Sequence, residues 1–301
     1  MSAIIYNNKE WENKEWLENM YSNYGLTYIA SLCSCSETTL RTWMKKHNIK
    51  TRTAAESNKI SRANKYKVNE KYFEIIDTPN KAYWLGLLMA DGTIREYRPG
   101  CYQLSLELKI SDKYIIEKFK QDIQAEQPVL ISSGTGKAKE DRARIFITNT
   151  AFCEYIMFHN IIPHKTGYET IPETVPECYI KDFIRGFFDG DGSITYWPPG
   201  VGDKMGRFHI GSVSQNILLE IQKHLEDKAN VKWAKKSFIE KHTLSNFYEL
   251  YTGNTPNIMK IYDYLYYDNC ICLHRKEEKF KSILCDYKQS QLLMKRYSPT
   301  H

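Results

Sequence analysis

The chain has 301 residues, 42% of them apolar and 13% aromatic, which at about 150 residues per domain allows two domains with real hydrophobic cores and excludes wholesale disorder. Its longest apolar runs, such as Tyr83 to Ala90, fall far short of the roughly 18 residues a membrane span needs, and Met1 to Trp16 carries Asn, Lys and Glu where a secretory signal needs an apolar core. A soluble, intracellular protein with no membrane partner is expected, in the cytoplasm or nucleoid of a host cell or in an organelle, and its net charge of +6 gains meaning only when mapped along the chain.

From Asn13 to Asn48 apolar residues recur at helical spacing in three runs: Trp16, Leu17 and Met20; Tyr28, Ile29 and Leu32; Leu40, Trp43 and Met44. Three short helices are predicted, with Gly25 separating the first two and Ser36 capping the third. The stretch GLTYIASLCSCSETTLRTWMKKHNI resembles a helix-turn-helix, whose third helix enters the major groove. With Leu40, Trp43 and Met44 turned to the core, Thr38, Thr39, Arg41, Thr42 and Lys45 are the outward residues available to bases and phosphates. Cys33-x-Cys35 here, and Cys270-x-Cys272 later, are too tightly spaced for the usual zinc pair. Reduced thiols are expected.

Residues 1–50 are thus read as a helix-turn-helix domain and residues 51–71 as a basic linker. Positions 50–71 hold seven Lys/Arg against two Glu, while residues 1–49 are balanced. Such a strap, with Arg52, Lys59 and Arg62 among its cations, suits a polyanion, because each cation placed against phosphate releases counterions.

The rest of the chain contains a repeat. YWLGLLMADGTI at Tyr83 to Ile94 is echoed by DFIRGFFDGDGSI at Asp182 to Ile194, with Asp91 and Asp191 100 residues apart. Pro79 and Pro176 suit a first helical turn, and Gly92 and Gly192 suit a left-handed C-cap, so each copy is predicted to be one helix ending at a carboxylate. Gly86 with Ala90, and Gly186 with Gly190, form a small-residue face that lets the two helices approach closely. An Asp in the last turn opposes the helix dipole. Two of them at adjoining helix ends ask for a cation, and paired carboxylates suit Mg2+.

These two copies, WLGLLMADG from Trp84 to Gly92 and IRGFFDGDG from Ile184 to Gly192, resemble the LAGLIDADG homing endonuclease family in its monomeric, two-motif form, over roughly Tyr72 to Tyr287. The resemblance implies an α+β fold of two pseudo-symmetric αββαββα repeats, here 72–180 and 181–301, forming a saddle across double-stranded DNA with a long recognition site. It also implies a monomer, intron homing, and hydrolysis of one phosphodiester on each strand with Mg2+ or another divalent cation such as Mn2+ held by Asp91 and Asp191. A lysine near each metal is the further member of such centres; Lys165 and Lys276 fall late in each repeat, and Arg275 aligns with Lys165 about as well. Met89 stands where the second copy has Asp189, for which packing or metal ligation are both open.

The chain after each motif agrees. Leu104, Leu106, Leu108 and Ile110 alternate with Gln103, Ser105, Glu107 and Lys109 as a half-buried strand. A helix is predicted over 111–123 with Ser111 as its cap, strands over 127–133 and 143–148, and a helix over 149–159; the second half repeats this with strands near 194–197 and 207–213, a helix over 214–227, strands near 231–239 and 246–252, and a helix over 256–266. The polar strand faces would meet DNA through Arg95, Arg98, Gln103, Ser105, Glu107, Lys109, Arg144, Arg207, His209, Lys235 and Lys236. The alternative functions are a non-cleaving DNA-binding regulator and an intron maturase on the same fold; retention of both Asp91 and Asp191 favours the nuclease.

Overall fold

The computed structural model describes residues 9–53, 56–57, 66–133, 140–198, 205–235, 237–242 and 246–297. The chain divides into two compact units, Met1–Lys67 and Val68–His301, so the division falls inside the basic segment.

The first unit holds α1 (Lys14–Asn23), α2 (Leu26–Leu32) and α3 (Glu37–Lys46). Asn13 caps α1 by accepting from Trp16 N, and Ser36 caps α3 by accepting from Thr39 N at 3.0 Å. Leu17, Ile29, Leu40 and Met44 form its core. Trp43 is half-buried against this core, and the Lys46 ammonium lies 4.0 Å from its ring centroid.

The second unit opens with α4 (Pro79–Asp91), followed by β1 (Gly92–Arg98), β2 (Cys101–Lys109), α5 (Lys113–Asp122), β3 (Leu130–Ser132), β4 (Arg142–Ile147) and α6 (Thr150–Phe158). The order is then repeated by α7 (Ile180–Asp191), β5 (Gly192–Tyr196), β6 (Gly206–Ser212), α8 (Gln215–Ala229), β7 (Phe238–His242), β8 (Asn246–Thr252) and α9 (Thr255–Leu265), and α10 (His274–Tyr297) is added at the end. Each repeat forms an antiparallel four-stranded sheet, ordered β1-β2-β4-β3 and β5-β6-β8-β7. The fold is α+β, built from two αββαββα repeats. Leu104, Leu106, Leu108, Ile145 and Ile147 from one sheet and Phe208, Ile210 and Leu250 from the other join the motif helices in one apolar cluster, as expected of sheets with one dry and one wet face.

Several local expectations are corrected. Gly92 and Gly192 are extended, with φ of −76° and −91°, not left-handed. They are glycines for space: a Cβ at Gly92 would lie 2.6 Å from Leu88 O, and one at Gly192 2.5 Å from Phe188 O. Helix therefore passes straight into strand. Pro79 does occupy the first turn of α4 after its Thr78 cap, whereas Pro176 precedes a 3-10 turn at Glu177–Tyr179 and α7 starts only at Ile180. Ser111 is not a cap; Ile110–Asp112 form another 3-10 turn, which draws Ile110 off the dry face. The strand expected near 231–239 begins only at Phe238 and runs on to His242.

Candidate metal centre and nucleic-acid interface

The site grows out of the packing of α4 on α7. A methyl group on Gly86 would collide with the Phe183 carbonyl, and one on Gly186 with the Tyr83 carbonyl. The two collisions are reciprocal, each with the residue three before the partner glycine, so the helices cross in backbone contact. Gly190 continues the contact, since a Cβ there would collide with that of Ala90 and stand 3.1 Å from Asp91 Oδ2. All four small residues expected at the helix interface are thus placed in or beside it. Asp91 and Asp191 end the two helices side by side.

Asp91 is half-buried, and Asp191 lies at the surface with its carboxyl crowded by surrounding protein. Burial, and then the charge of Asp91, push the Asp191 carboxyl up to about 6. Burial likewise raises Asp91, against the pull of Lys276 and Lys165. Among the described residues no group of three or more His, Cys, Asp or Glu converges on one point. The donor set is two crowded carboxylates, and it fits a hard divalent cation that retains water and phosphate oxygens as its other ligands.

Two lysines flank this pair. Lys165 Nζ donates to Gly92 O at 2.8 Å. Lys276 Nζ donates to Gly192 O at 2.6 Å, and also to Phe188 O and Asp189 O at 2.6 and 2.7 Å. The glycine that follows the motif aspartate is the shared acceptor, which sets Lys276, rather than Arg275, opposite Lys165. Arg275 instead forks onto buried Asp112, at 3.0 and 3.1 Å from its Nε. Burial lowers both lysines, Lys276 to about 8.

Asp189 does not turn towards the carboxylate pair. Its Oδ2 accepts from Tyr83 Oη and Leu273 N, both at 2.8 Å, tying α7 to α4 and to the start of α10. Sequence reasoning missed Glu169, a buried carboxylate that accepts from Gly167 N at 2.7 Å and whose charge favours the protonated form of both Lys165 and Asp191. It also missed the buried Asp182–Arg185 pair at 2.8 Å, with Arg185 reaching Ile271 O and Leu265 O. The i, i+3 spacing was the available signal for that pair.

The wet sheet faces carry most of the remaining candidates. Arg95 donates to Gln103, which donates to Thr148; Ser105 lies beside Thr93 O; Lys109 pairs with Glu140 at 2.8 Å. Glu107 holds Arg142 at 3.2 Å and also Arg144. On the second sheet Glu249 holds His209 at 3.5 Å and Arg207 at 3.9 Å, with the Arg207 guanidinium 4.0 Å from the Tyr251 centroid. Lys235 is exposed. Lys59, Arg62, Lys236 and the Arg98 side chain lie outside the described residues. In the first unit Thr38, Arg41, Thr42 and Lys45 are exposed and Thr39 is half-buried beside its cap. Arg52 departs from its expected role: it donates to Tyr24 O at 2.6 Å and stacks 3.8 Å over Tyr21, so it fastens the segment after α3 to the helical unit.

No family model and no curated protein sequence matches the chain. Solved structures similar to it include the LAGLIDADG meganuclease I-AabMI bound to uncleaved DNA, 13% identical and covering 71% of this chain and 92% of that one with a TM-score of 0.45. Another is the homing endonuclease I-WcaI bound to its DNA recognition sequence, 13% identical, covering 78% and 97% of the two chains with a TM-score of 0.45.

Proposed function

We propose that the chain is a metal-dependent, sequence-specific double-strand DNA endonuclease of the LAGLIDADG type, acting as a monomer, with the helix-turn-helix of the first unit and the basic segment extending its recognition site. The observation that carries this reading is the meeting of Asp91 and Asp191 at the ends of two helices in backbone contact. Each half of the unit supplies one carboxylate and one wet antiparallel face, which matches a substrate with two antiparallel strands. Asp91 and Asp191 would hold Mg2+ or Mn2+, which supplies activation of water and stabilisation of charge on phosphorus and the leaving oxygen. Lys165 and Lys276 keep positive charge at the same point, where a pentacoordinate phosphorus gathers negative charge. The polar strand faces bring hydrogen-bonding side chains to base edges at the two-residue period of a strand.

Asp91→Asn or Asp191→Asn is expected to abolish cleavage of a duplex selected from a randomised library while retaining its binding. Full Mg2+-dependent cutting by both variants rejects the assignment. Independently of any target, Mg2+ should raise the thermal midpoint of the wild type but not of the double variant.

A further inference from the structure

The two wet faces share a feature that the motif helices do not require. In the first sheet Gly92 pairs with Leu106, and the next rung is Glu107 opposite Arg144. In the second sheet Gly192 pairs with Ile210, and the next rung is Gly211 opposite Glu249. Each sheet thus places one carboxylate at the same rung, at the end nearest the motif aspartates, although on opposite strands of that rung. Each carboxylate is set among basic side chains: Arg142 and Arg144 around Glu107, Arg207 and His209 around Glu249. The Arg142 and Arg144 side chains remain 49% and 40% exposed and Glu107 is 24% exposed, so the cluster stands open to solvent on the face assigned to DNA.

A carboxylate on such a face lowers affinity for every phosphate that approaches, and a protein selecting only for tight binding would omit it. It also fixes flexible guanidiniums, because a carboxylate accepts forked donors in a defined plane. Both effects act against unselected DNA, where binding is almost wholly electrostatic, and spare partners that repay the arginines with base-edge hydrogen bonds. We propose that Glu107 is a specificity-determining residue that restrains Arg142 and Arg144 from indiscriminate phosphate contact, with Glu249 doing the same for Arg207 and His209. This rests on the DNA-binding reading above.

The test needs no knowledge of the target. Glu107→Gln removes the charge and keeps the shape, and Arg142 and Arg144, 49% and 40% exposed, can turn to solvent, so the variant is expected to fold, which circular dichroism checks. By fluorescence anisotropy without divalent cation, its affinity for a random-sequence duplex should rise about five- to tenfold at low salt, and the slope of log K against log salt should steepen by about one to two. Glu117→Gln, which removes an equal charge from the Lys113 pair on α5, should change neither by as much. An unchanged affinity and slope in Glu107→Gln, or an equal gain in Glu117→Gln, overturns the restraint. Failure of the wild type and of every variant to bind any duplex would instead bring down the DNA-binding reading, and this inference with it.

Discussion

The two repeats are alike in element order and unlike in how they anchor their lysines. Lys165 extends from the loop after α6, is half-buried and satisfies one carbonyl; Lys276 rises from the first turn of α10, is 3% exposed and satisfies three. Around Lys276 lies buried Asp189, whose counterpart in the first repeat is Met89. One repeated pattern is thus divided between two duties. The second repeat has put its cation into the architecture of the helix end, and the first has kept its cation nearer the solvent.

The most severe way to break the symmetry is at the crossing itself. Gly86→Val and Gly186→Val should each prevent folding to the native state, since overpacking of even a methylene or two costs about 1–3 kcal/mol in a yielding core and here the obstacle is backbone; circular dichroism and solubility read the outcome. Next, Lys276→Met should lower stability by about 2–4 kcal/mol in urea unfolding by leaving carbonyls unpaired, whereas Lys165→Met should cost about 1 kcal/mol or less. Equal losses would erase the distinction drawn between the repeats. Tyr83→Phe, which removes one of two donors to Asp189 Oδ2, should cost about 1 kcal/mol.

The smallest effect concerns pH. Burial lowers the proton affinity of His159, held by Phe73 O and Thr174 Oγ1 at 2.6 Å, and of His224, held by Tyr264 Oη at 2.8 Å. The unfolded chain then binds protons that the folded chain refuses. Their contribution is complete above the ordinary histidine value of about 6.5 and is lost progressively as the pH falls below it. Asp91 and Asp191, raised by burial, act in the opposite sense, so the readout is a difference: as pH falls from neutral to mildly acidic, the urea midpoint of His159→Gln should rise relative to that of the wild type.

Much of this was legible in the sequence because it depends on period and on repetition. The alternation of Leu104, Leu106 and Leu108, the Ser36 cap and the paired small residues all express local rules. The strand at Gly92–Arg98 is not legible in the sequence because Arg95, Glu96, Tyr97 and Arg98 offer no apolar alternation, and only its pairing with β2 makes it a strand. Likewise α10 has a polar sequence whose place is set by Phe280 and Ile283 entering the core. Asp112 and Arg142 could not have been assigned by spacing, since their partners Arg275 and Glu107 are distant in sequence. Arg52 illustrates the converse: its charge suggested phosphate, and only the tertiary placement of Tyr21 and Tyr24 gave it another use.

The absence of any loop between each motif helix and its first strand has a mechanical consequence. Carboxylate and ladder share adjoining residues, so an inserted amino acid at either junction would leave α4 and α7 seated yet turn an entire strand inside out. A single codon gained there would turn the wet side of a sheet inward while the carboxylate pair stays where it is.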